Sequence, residues 1–71
     1  MRAGEFIRKI KAVGRARGVT VTLDKSYGKG SHATLRYGNA KTTVKDSKKE
    51  IGPGLLLAML RQLGLTKDDL E

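Results

Sequence analysis

Two short alternating runs joined by Gly38-Asn39 constrain this chain more than any other feature. His32 to Tyr37 and Ala40 to Lys45 both change polarity at period two, the spacing of half-buried strands. Gly38 and Asn39 both tolerate positive φ, which suits a two-residue hairpin turn. A turn of that length sets the register: Tyr37 opposes Ala40, Arg36 opposes Lys41, Thr34 opposes Thr43 and His32 opposes Lys45. Side chains alternate between faces, so Ala33, Leu35, Tyr37, Ala40, Thr42 and Val44 share the face that suits a core. His32, Thr34, Arg36, Lys41, Thr43 and Lys45 share the other. The single histidine is thereby grouped with cations and hydroxyls. A slip of one residue would exchange the faces.

The flanking segments predict a small α+β domain. From about Ala3 to Arg17, Phe6, Ile10 and Val13 recur at i, i+4 and i+7 with Ile7 beside them, while Arg8, Lys11 and Arg15 form another stripe. This is an amphipathic helix with a basic face, and Gly18 is its stop signal. Val19 to Leu23 alternates with β-branched residues and reads as a strand. Asp24 to Ser31 is polar and glycine-containing, hence a loop. A second helix starts near Pro53, which suits a first helical turn, and stops at Gly64. Leu56, Leu60 and Leu63 mark one stripe, with Leu55 and Met59 on a neighbouring one. That helix is apolar almost all round, so part of Leu55 to Leu63 is available to a protein partner as well as to the core. The order is α-β-β-β-α, with a three-stranded antiparallel sheet and two helices on one face. Double-stranded-RNA-binding domains have this architecture.

Composition narrows the classes of function. A chain of 71 residues predicts one domain, 1–71. With no cysteine, disulfide staples and thiolate metal sites are excluded, one histidine and few carboxylates argue against a preorganised zinc site, and no cofactor is expected. The sequence shows no membrane-length apolar run and no signal peptide, which predicts a cytoplasmic protein without a membrane partner. The formal net charge is +8 and is unevenly spread. Arg2 to Lys49 carries 13 basic residues against Glu5, Asp24 and Asp46, whereas the remainder is net −2. A basic body of this kind predicts a polyanion partner. No basic helix carries an aromatic apolar face, so nucleic acid is favoured over a membrane surface.

The chemistry concentrates at Lys29-Gly30-Ser31-His32. Glycines flanking a lysine offer exposed backbone N–H groups and a cation, a setting for phosphate. Imidazole titrates near physiological pH and can accept or donate a proton. Neighbouring cations disfavour imidazolium, which keeps His32 neutral as a general base requires. Lys29, Gly30, Ser31, Arg36, Lys41 and Lys45 are the candidate phosphate-binding residues. The plain alternative is that a lone histidine at a strand start is surface decoration and that the loop is only a connection.

Gly30-Ser31-His32 resembles the Gly-Ser-His signature of HicA-type (YcfA-like) mRNA interferase toxins. Glu50-Ile51-Gly52-Pro53-Gly54, followed by Leu60-Arg61-Gln62-Leu63-Gly64-Leu65, is similar to that family's closing pattern. The resemblance covers most of the chain and implies a double-stranded-RNA-binding-domain-like fold. It further implies toxin function in a type II toxin–antitoxin system, cleavage of messenger RNA, His32 as the catalytic residue, and neutralisation by a HicB-type antitoxin. Two departures stand out. The stretch from Gly14 to Gly30 is longer than in many relatives, and Asp46 stands where many carry a second histidine.

Two other functions share the same basic surface. A non-catalytic RNA-binding module needs only charge at position 32, and a small ribosome-associated structural protein predicts stable ribosome association without cleavage. Two tyrosines and one phenylalanine make no stacking platform, which argues against a single-strand-binding module.

Overall fold

The structure is a computed structural model that describes residues 1–25, 33–45 and 49–70. Helix α1 spans Ala3–Arg17, strands β1, β2 and β3 span Val21–Lys25, Ala33–Tyr37 and Ala40–Val44, and helix α2 spans Pro53–Gln62. A terminal 3-10 helix covers Lys67–Leu70. The sheet is antiparallel in the order β1-β2-β3. This is the expected α+β fold, α-β-β-β-α, consistent with a double-stranded-RNA-binding-domain-like arrangement. Among the described residues no helix is long and apolar enough to cross a membrane.

The hairpin has the register that the alternation predicts, with Tyr37 opposite Ala40 and Thr34 opposite Thr43. Within the turn only Gly38 takes positive φ, at 60°, and among the described residues no non-glycine residue does. Asn39 is therefore not left-handed. Positive φ at the first central position alone is the pattern of a type II′ turn, which glycine fits and which matches strand twist.

One face of the sheet closes onto both helices. Leu35 and Val44 are buried with Phe6 and Ile10 of α1 and with Leu56, Met59 and Leu60 of α2. Thr42 is the polar member of this face. Its hydroxyl donates to Gln62 Oε1 at 2.5 Å, which gives the buried oxygen a partner. The basic stripe of α1, Arg8, Lys11 and Arg15, is exposed as expected. Met59 and Leu55, neighbours on the predicted second stripe of α2, separate: Met59 is buried and Leu55 is exposed.

The first strand lies two residues later than Val19–Leu23. Gly18 closes α1 in a left-handed conformation, and Val19 N–H donates to Gly14 O at 2.8 Å, so Val19 belongs to the helix end. Thr20 O accepts from Gly38 N–H, and the ladder continues from Val21 opposite Tyr37 to Lys25 opposite Ala33. Asp24 and Lys25 are thus strand residues, not loop residues as the sequence predicts. Local polarity at Asp24 yields to cross-strand pairing with β2.

Gly14 is where α1 meets this strand. A Cβ there would lie 2.3 Å from Val21 Cγ2 and 2.8 Å from the Val19 carbonyl oxygen. Alanine normally gains about 0.5–1 kcal/mol over glycine inside a helix. Here overpacking against main chain costs about 1–3 kcal/mol. Gly14→Ala is therefore expected to lower the urea midpoint of unfolding, and a raised midpoint would contradict the close approach.

Both chain ends are tied back. The backbone of Ala3 and Met1 bonds to Lys49 and Ile51, and the terminal ammonium of Met1 pairs with Glu50. Asp69 in the terminal 3-10 helix accepts from the Thr66 N–H at 2.7 Å and from Arg17 at 2.5 Å. These two contacts, the Thr66 N–H first, hold its carboxyl below the ordinary value of 3.8. A depressed folded pKa contributes stability above the unfolded value, and that contribution is lost as pH falls through the folded value. The parent should out-melt Asp69→Asn at neutral pH, with the difference vanishing in acid below the ordinary carboxylate range. An equal difference at both pH values would contradict this role.

Candidate nucleic-acid interface

The face of the sheet turned away from the helices is polar. Two cross-strand rows build it: Thr22, Arg36 and Lys41, then Asp24, Thr34 and Thr43. All are exposed except Thr34, which is half-buried. Lys45 follows directly after β3 and is exposed as well. Alternation in three adjacent strands, not any local cluster in the sequence, assembles this surface.

Of the residues predicted to bind phosphate, Arg36 and Lys41 are brought together as direct cross-strand partners. Like charges opposite one another are unfavourable, and the structure supplies the counter-charge that the sequence reading missed. Asp24 Oδ2 accepts from Arg36 Nε at 2.8 Å, a diagonal contact across the β1–β2 pair. Both side chains are more than half exposed. An exposed pair of this kind is worth about 0.2–1 kcal/mol, so a phosphate can readily replace the carboxylate. The signal for Asp24 was present: it continues the outward phase of Thr22.

Lys29, Gly30, Ser31 and His32 lie outside the described residues, and so do Tyr27, Asp46 and Lys48. The expected pairing of His32 with Lys45 therefore lies outside them too. The described part of β2 begins at Ala33, one peptide bond after His32, and Ala33 pairs with Val44. The cations of α1 belong to the helical layer, not to the open sheet face. One of them, Arg17, is engaged by Asp69.

This surface can bind phosphates through two cations and several hydroxyls, and it adjoins the strand end that follows the Gly-Ser-His motif. Residues 5–65 match a family model described as HicA toxin of bacterial toxin-antitoxin. The matched span reaches from the first turn of α1 to Leu65 beyond α2 and leaves out the terminal 3-10 helix. No match was found among curated proteins or among solved structures. With the matched span covering both helices and the whole sheet, the chain belongs to the HicA toxin family of bacterial toxin–antitoxin systems.

Proposed function

We propose that this toxin is an mRNA interferase, an endoribonuclease that binds the messenger on its open sheet face and cuts it with His32 as general base. One observation carries the reading: Arg36 on β2, the strand that His32 immediately precedes in sequence, shares a solvent-facing surface with Lys41 and Thr43 of the paired strand β3. Support also comes from the Gly-Ser-His motif and from the family of the chain.

In this reading neutral His32 takes the proton of a ribose 2′-OH. The freed oxygen attacks the adjacent phosphorus in line, and the 5′-oxygen of the next nucleotide leaves. That oxygen is protonated by Lys45, Tyr27 or water. Lys29, Lys45 and the backbone N–H groups of Gly30 and Ser31 balance charge on the non-bridging phosphoryl oxygens. Arg36 and Lys41 hold flanking phosphates, with Arg36 exchanging Asp24 for RNA. The atom balance leaves a 2′,3′-cyclic phosphate on one fragment and a 5′-hydroxyl on the other. The partners are messenger RNA in the cytoplasm and a HicB-type antitoxin.

Incubation with an end-labelled messenger followed by end-group analysis tests this directly. Internal scission with cyclic-phosphate and 5′-hydroxyl ends is the expected result. RNA that is bound but remains intact would instead make the chain a non-catalytic RNA-binding module.

A further inference from the structure

β3 is an edge strand. In a two-residue hairpin the residues flanking the turn exchange both main-chain hydrogen bonds, and the exchange recurs at every second pair. The bonded pairs are then Tyr37–Ala40, Leu35–Thr42 and Ala33–Val44. Lys41 and Thr43 turn their N–H and C=O groups outward, away from β2.

A groove of about 320 Å³ runs beside this edge. Its other wall is α2, where Leu55, Ala58, Met59 and Gln62 recur at i, i+3, i+4 and i+7 and so form one stripe. Leu55 is 53% exposed although it is apolar and lies in a helix that supplies core. Lys45 and Lys49 also line the groove, while its carboxylate, Glu50, is engaged by the Met1 ammonium. The groove therefore combines an unpaired strand edge, an apolar wall and two lysines that form no ion pair among the described residues.

We propose that this groove accepts an extended segment of the antitoxin, with acidic and aliphatic residues in alternation, as a fourth strand beside β3. The proposal rests on the toxin–antitoxin reading of the chain. Side chains of an added strand alternate between faces. Those on the open face meet Lys41 and Lys45 and are matched by Asp or Glu. Those on the helical face meet Leu55 and Ala58 and are matched by Val or Leu. Edge lysines repel a second cationic strand, so another copy of this chain, with formal net charge +8, is disfavoured at the same edge. Strand addition also occupies two of the lysines assigned to RNA, which makes antitoxin and messenger competitors.

The test uses a blocked peptide alternating Glu with Val, titrated into the full isotope-labelled chain and followed by its amide spectrum. The expected result is movement of the Lys41 and Thr43 amides. Leu55→Glu should weaken binding by about tenfold or more, the effect of losing an aliphatic contact and adding a repelled carboxylate. The unperturbed remainder of that variant's spectrum reports that it is folded. Absence of binding, equal affinity for the peptide N-methylated at alternate residues, or shifts confined to α1 would overturn the assignment. RNA cleavage by the chain before any peptide is added scores the nuclease reading separately. Docking at β3 by a chain that does not cleave on its own keeps the groove and removes the nuclease; cleavage by the chain alone, with no docking, does the reverse.

Discussion

His32→Ala is expected to lower the single-turnover rate of RNA cleavage by about 10²–10⁴-fold, the usual worth of a positioned general base. RNA affinity, read from a gel shift on the same samples, should change little. The separation of the two effects follows from the layout of the surface. Arg36 and Lys41 sit on β2 and β3, and both are exposed. Affinity comes from cations that neutralise phosphates, whereas rate comes from the group that takes the 2′-OH proton. A variant that cut as fast as the parent would remove His32 from the mechanism. One that lost binding and cleavage together would make the residue a binding group.

The largest stability effect is expected at Phe6. Its side chain is fully buried between the helical layer and the sheet, in the cluster that contains Leu35 and Leu60. Truncating a buried phenylalanine to alanine costs about 3–5 kcal/mol. Domains are stable by about 0.05–0.15 kcal/mol per residue, so a chain of 71 residues has little to spare. Phe6→Ala should lower the melting midpoint by about 12 °C or more, since each kcal/mol is worth about 4–8 °C at this size. Lys11→Ala, on the exposed stripe of the same helix, should stay within about 0.5 kcal/mol of the parent. Similar losses at both positions would mean that α1 does not bury the predicted face.

What was legible in the sequence was what depends on period and local chemistry. The apolar spacing of Phe6 and Ile10 and the glycine stop located α1. The period-two runs around Gly38-Asn39 gave both the register of the hairpin and its buried face. Features that depend on contacts across the chain were not legible. Arg17 meets Asp69 across 52 positions, and no local pattern marks Lys67–Leu70 as a helical turn packed back on α1. β1 is displaced because the closure of α1 takes Val19 and because pairing with β2 draws in Asp24, a residue whose own preference is for turns. Asp24 also changes the reading of the site. Arg36 is a cation with a partner, and in the proposed reading Lys41 and Lys45 carry more of the field offered to RNA. The proposed base was legible by motif alone: one imidazole in the chain, set after Gly30-Ser31 and before a strand.

The central claim is a ribonuclease whose nucleophile is the 2′-hydroxyl of its own substrate. The most direct measurement incubates the parent chain, in EDTA, with a labelled messenger and with the same sequence fully 2′-O-methylated. The account predicts scission of the unmodified RNA alone, with both RNAs bound. Scission of the methylated RNA, or of neither, would contradict it.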